Sequence, residues 1–182
     1  MPHQPADRPL GAFLKALREA KIRCILIGSM AGIAQGAPLM TIDYDFWIEL
    51  PERQYVRLLT IIEVQGGTIL ARTLYELRDG SQVNAIFQPD GLRSFAVEFK
   101  GSGRGRLAGQ PVRILPLARV IASKRAAGRD KDRAALPAAF EEGLENWPVG
   151  GEIIIKLKQL RAAQVDVSEE SSRPRGPWLR PA

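Results

Sequence analysis

The hydrophobic pattern of the chain changes period several times. In "RPLGAFLKALREA", residues 8–20, Leu10, Phe13, Leu14 and Leu17 recur at the spacing of one helix face, and Asp7 with Pro9 marks a helix start. "IRCILIG", residues 22–28, is a short apolar run ended by glycine, the pattern of a buried strand, and "SMAGIAQG" after it suits a short helix. "TIDYDFWIEL", residues 41–50, alternates: Ile42, Tyr44, Phe46 and Ile48 point one way, and Thr41, Asp43, Asp45 and Trp47 the other.

"PERQYVRLLTIIEVQGG", residues 51–67, opens on a first-turn proline and closes on glycines, with Tyr55, Leu58, Leu59 and Ile62 on one side, predicting a helix of about four turns. In residues 68–88, Asp79-Gly80 lies between two strand-like runs and predicts a hairpin in which Glu76 faces Val83. The segment Phe95 to Phe99 fits either period. The glycine-rich "KGSGRGRLAGQP", residues 100–111, lacks the Lys-Ser/Thr ending of a phosphate-binding loop and is expected to be an exposed turn between strands. A short strand, "VRILPL", then leads into two helical pieces across residues 118–147, and "GEIIIKLKQLRAA", residues 151–163, predicts a last helix.

These elements predict an α/β (α+β) protein with a mixed β-sheet flanked by helices and a helical C-terminal part. The expected organisation is a core over 8–116, C-terminal helices over 117–163 and a disordered tail over 164–182. With 182 residues the chain has length for one full core. No apolar run reaches the roughly 18 residues a membrane span needs, and "MPHQPADRP" lacks a secretory signal's apolar core, so the expected setting is cytoplasmic with no membrane partner.

Composition narrows the chemistry. The single cysteine, Cys24, excludes a disulfide framework or cysteine-rich zinc site and is expected to be a small buried hydrophobe. The lone histidine, His3, leaves almost no material for histidine-based metal or base chemistry. A net charge of +6 favours polyanionic partners, although Arg173, Arg175 and Arg180 belong to the terminal tail.

Asp43 and Asp45, at i and i+2 of one strand, project from the same face with Cα atoms roughly 6.5 to 7 Å apart. Two carboxylates so placed can converge on Mg2+, which takes oxygen ligands and leaves its other positions to water and phosphates. Gly28-Ser29 follows an apolar strand and precedes a short helix, so its backbone N–H groups and the Ser29 hydroxyl can hold a phosphate. Tyr44, Phe46 and Trp47 are expected to pack in the core rather than form a stacking platform.

This order of strand, Gly-Ser, short helix and Thr-x-Asp-x-Asp on a second strand resembles the nucleotidyltransferase fold of the DNA polymerase beta-like superfamily. Within it, "VIASKRAAGRDKDRAAL", residues 120–136, is similar to a segment of small prokaryotic nucleotidyltransferase-like proteins of toxin–antitoxin and abortive-infection type. The resemblance spans roughly residues 10 to 140. It implies Mg2+-dependent transfer of a nucleoside monophosphate from a nucleoside triphosphate to a hydroxyl of RNA, a protein or a small molecule. Asp43 and Asp45 would be the catalytic metal ligands, Gly28 and Ser29 would cradle the phosphates, and Lys124, Arg129 and Lys131 would meet them from a basic helix that also carries Arg119.

Two positions depart from the family pattern. Asn84 stands where a third catalytic carboxylate is expected, and an amide cannot accept the proton of an attacking hydroxyl. Leu39 occupies a place where relatives often carry arginine. Glu76 and Glu98 are the alternative sources of a third carboxylate. A catalytically inactive module that binds nucleotide, or a partner protein through the C-terminal region, is the competing expectation.

Overall fold

A computed structural model describes residues 8–37, 39, 41–129, 157–160 and 165–167. Its central strand is the acidic one. Asp43–Glu49, β2, lies between β1 (Arg23–Ile27), antiparallel to it, and β5 (Gln82–Ile86), parallel to it. On one side of these follow β4 (Leu74–Glu76) and β3 (Thr68–Ile69), and on the other β7 (Gln110–Ile114) and β6 (Gly103–Leu107), giving a seven-stranded mixed sheet in the order β3-β4-β5-β2-β1-β7-β6.

Alternation assigns the faces. Tyr44, Phe46 and Ile48 point to one side and are almost fully buried, each contributing on the order of 2 kcal/mol relative to exposure. Helix α1 (Pro9–Glu19) covers this side, with Phe13 6.2 Å from Phe46 between ring centroids, and α3 (Tyr55–Val64) packs beside it through Leu58 and Ile62. The expected four-turn helix is split: Glu52–Gln54 forms a 3-10 turn before α3 begins. The expected acidic face of β2 is interrupted by Trp47, which separates Asp43 and Asp45 from Glu49. Trp47 is buried edge-on against Phe95 of α4 (Phe95–Gly101), and its Nε1 donates to the Phe87 carbonyl. Ile42 precedes the strand and is exposed.

Three other segments differ from the sequence reading. The glycine-rich 100–111 stretch is a turn only at Ala108-Gly109, both at positive φ, while Gly103–Leu107 forms an edge strand with Arg104 and Arg106 outward and Gly105 and Leu107 buried. The Asp79-Gly80 hairpin is present but slips by one residue. The Leu77 N–H donates to Ser81 O, leaving Arg78, Asp79 and Gly80 as a three-residue loop, so Glu76 faces Gln82 rather than Val83. Where a last helix was expected over 151–163, Leu157–Leu160 forms β8, antiparallel to β9 at Val165–Val167 within the expected tail. Polar–apolar alternation around Leu157 and in Val165-Asp166-Val167, with β-branched residues, favours extended backbone there.

Two buried polar clamps fix the remaining helices. Gln35, past the end of α2 (Gly28–Ile33), donates to the Ala31 and Leu115 carbonyls and accepts from the Leu117 N–H at 2.9 Å, tying α2 to the start of α5 (Leu117–Ala127). Glu98 of α4 is buried and accepts from Arg119 Nη2 of α5 at 2.6 Å and from the Arg93 backbone N–H at 3.1 Å. Burial alone pushes the Glu98 carboxyl up, but the hydrogen bonds from Arg119 and Arg93 outweigh it and hold the group below the usual carboxylate range.

Since folding lowers its proton affinity, the stability Glu98 contributes is complete above its ordinary value near 4.5 and is lost as the pH falls through its depressed folded value. Glu98→Gln should therefore cost about 2 kcal/mol at pH 7 in urea denaturation. The gap to wild type should narrow steadily as the titration is repeated at lower pH.

Candidate functional site

Strand β1 ends at Ile27, level with Asp45 of β2, and the chain turns at once into α2. Gly28 makes this turn with φ +66°, and the Asp45 carboxylate lies where a Cβ on residue 28 would sit, with its carboxyl carbon 3.0 Å from that position. Glycine is required here twice, for the left-handed backbone and for the close approach of a side chain. On the opposite flank of Asp45, the Asn84 amide donates to Oδ1 at 3.1 Å across the parallel β2–β5 pair. Asp45 is thus held on both sides.

Asp43 leaves the same face of β2 one pleat away, and its backbone N–H donates to Thr41 Oγ1 at 3.2 Å. Gly28, Ser29, Asp43, Asp45 and Asn84 are all half-buried, so the cluster is reachable from solvent. The sequence-predicted Gly-Ser, Asp-x-Asp and asparagine elements are therefore adjacent on three neighbouring strands or their ends. Two carboxylates on one strand face suit a magnesium ion that takes its other ligands from phosphates and water. Among the described residues no group of three His, Cys, Asp or Glu side chains is placed to hold a metal ion.

Neither alternative carboxylate reaches the cluster. Glu76 shares a row with Gln82 and Asp43, which puts it two strands and roughly 9 to 10 Å from Asp43 between Cα atoms. Glu98 is committed to Arg119 and Arg93. Arg119, counted with the basic helix in the sequence, is consequently a structural residue. Lys124 lies on α5, which packs against α2, and Arg129 follows the Gly128 cap of α5; Lys131 lies outside the described residues. Buried Tyr44 and half-buried Cys24 add no base or nucleophile, because desolvation pushes each up to about 12.

Sequence reasoning missed Gln35 and considered Glu98 only as an alternative third carboxylate, not as a clamp. Gln35 and Glu98 stand in ordinary helical contexts, and their partners are 82 and 21 residues away, so no local pattern announces them.

No protein-family model matches the chain, and no curated protein matches it. Solved structures similar to it include the antibiotic-resistance factor ANT(2'')-Ia in solution, at 20% identity over 77% of this chain and 75% of that one with a TM-score of 0.48. ANT(2'')-Ia in complex with adenylyl-2''-tobramycin is similar at 19% identity, 75% and 83% coverage and a TM-score of 0.48. An antigenic nucleotidyltransferase-like protein from Paracoccidioides brasiliensis is similar at 16% identity, 70% and 71% coverage and a TM-score of 0.43. Among the described residues no helix is long and apolar enough to cross a membrane.

Gly28→Ala should displace the Asp45 carboxylate and destabilise the fold by more than about 1 kcal/mol, since alanine is strained at positive φ as well as crowded. A thermal melt against wild type, alongside Gly101→Ala as a control whose Cβ would meet open space, checks this directly.

Proposed function

We propose that the chain is a nucleotidyltransferase-like protein that binds a nucleoside triphosphate with Mg2+ at Asp43 and Asp45. The observation that supports this reading is the packing of the Asp45 carboxylate against the Gly28 turn at the start of α2, with Asp43 one pleat away on the same strand face. When bound, the metal supplies charge stabilisation for the triphosphate and its leaving pyrophosphate. Asp43 and Asp45 hold and orient it, and Gly28 and Ser29 receive phosphate oxygens. Lys124 and Arg129 add positive charge from the α5 side, and Lys131 is proposed as a further phosphate-binding cation.

In the reaction this arrangement would run, an acceptor hydroxyl oxygen attacks the α-phosphorus, the bond to the β-phosphate bridging oxygen breaks and pyrophosphate leaves. The hydroxyl proton must pass to solvent or to a substrate phosphate, because Asn84 cannot take it. Losing a positioned base costs about a hundredfold to ten-thousandfold in rate. The acceptor classes are an RNA, a protein or a small molecule, in a cytoplasmic setting.

A second reading has its own support: Asn84 donates its amide to Asp45, so the pair is satisfied as it stands, as suits a nucleotide-binding module with no turnover. In that form the chain would serve as one component of a toxin–antitoxin pair, meeting its partner through the C-terminal region.

Calorimetry with each triphosphate, with and without magnesium, should give metal-dependent heat that Asp43→Ala abolishes. Absence of binding for all four nucleotides would overturn both readings. Labelled triphosphate with magnesium and cell extract then separates them. An active enzyme labels an acceptor, and Asn84→Asp raises the yield by about a hundredfold or more if a base is restored; a binding module labels nothing in either form.

A further inference from the structure

The far end of β1 carries the opposite charge. Around Arg23, where β1 begins, the end of α1 and the β6–β7 hairpin enclose a groove of about 970 Å³. Six cations line it: Arg18, Lys21, Arg23, Arg104, Arg106 and Arg113. Arg23 is paired with Glu49, and among the described residues no ion pair engages the other five. The guanidiniums of Arg23 and Arg113 lie over the Phe99 ring, 5.1 and 4.8 Å from its centroid. Nearly buried Leu17 and Val112 and exposed Pro111 also line the groove.

Concentrating like charge is unfavourable without a counter-charge, and local contacts account for only part of it: Arg106 donates to Gly109 O at 2.7 Å and Arg113 to Phe99 O at 3.0 Å, whereas Arg104 on the edge strand and Lys21 past the end of α1 are exposed. We propose that this groove binds single-stranded RNA or DNA through its phosphate backbone. Five of the six cations are arginines, whose planar fork takes phosphate oxygens two at a time. Arg104 and Arg106, at i and i+2 of one strand, are roughly 6.5 to 7 Å apart, which suits consecutive phosphates of an extended strand. The guanidinium planes held by Phe99 and the exposed Pro111 ring offer surfaces for unstacked bases. An acidic peptide would satisfy the charges but would leave those flat surfaces unused. The proposal stands on this groove and not on the aspartate cluster.

The test is fluorescence anisotropy of a labelled twelve-residue oligouridylate and its deoxy counterpart on the full chain, across a salt series. Binding should weaken linearly in log–log form with salt. The double variant Arg104→Gln/Arg106→Gln should bind at least about tenfold more weakly and flatten that slope by about 1.4, at about 0.7 for each phosphate no longer neutralised. Both side chains are exposed and the double variant gives up one hydrogen bond, from Arg106 to Gly109 O, so its melting temperature should stay within about 4 °C of wild type, and Lys21→Gln provides an independent check by weakening binding in the same direction. Asp43→Ala should bind the strand as wild type does, which keeps this result separate from the fate of the triphosphate site. No binding at low salt, or an unchanged slope in the double variant, would overturn the proposal. So would polyglutamate competing as well as unlabelled strand at equal charge, which would assign the groove to acidic peptides.

Discussion

The packing of the Asp45 carboxylate against the Gly28 turn is the constraint on which the rest of the site depends. It fixes how closely β1 and β2 approach at one end, starts α2 at a left-handed glycine, and leaves Asp45 a second flank that Asn84 closes from β5. Three strands and a helix start therefore meet around one carboxylate. The Gln35 clamp then carries the direction of α2 to α5, bringing the basic helix alongside. A substitution at residue 28 propagates further than its size suggests, because the Asp45 carboxylate cannot move without disturbing its neighbours on both sides.

Much of this was legible in the chain because local periodicity and local chemistry coincide there. Leu10, Phe13, Leu14 and Leu17 mark α1 on their own, and Tyr44, Phe46 and Ile48 assign the buried face of β2 by alternation. Gly28-Ser29 and the two aspartates were visible as a spacing. Their adjacency was not derivable from it and required strand pairing. The elements that resisted were those in which tertiary contacts decide. Trp47 stands at a position that alternation assigns to the polar face, yet Phe95 covers it, because α4 folds over that side. The hairpin register moved by one residue since Ser81 accepts from the Leu77 N–H, a choice between loop lengths that Asp79-Gly80 alone does not make. In residues 100–111 glycine masked a strand whose inward positions, Gly105 and Leu107, are set by the neighbour it pairs with.

Charge is divided along β1 rather than spread over the surface. The Ile27 end faces Asp45, and at the Arg23 end, about 13 Å away by the rise of an extended strand, the single carboxylate of Glu49 is paired with Arg23 among a majority of guanidiniums. At that distance the two fields interact only weakly through solvent at physiological salt. A phosphate at the acidic end therefore needs its own cation, and the groove's positive charge cannot substitute for it. Net charge taken over the chain conceals this division, since +6 describes neither end.

Asn84 is best understood through what a carboxylate there would do to the fold. Side by side with Asp45, a second carboxylate on β5 and a third, Asp43, on β2 would repel unless a cation were present or one of them took up a proton. Folding would then be linked to metal or to pH, as it is whenever like charges are brought together from an unfolded chain that keeps them apart. The amide weakens that linkage by leaving two carboxylates rather than three. It donates to Oδ1, adds no charge and lets the three central strands close with the site empty or full. An amide has no appreciable basicity, so the position beside Asp45 holds the strands together without being able to accept a proton.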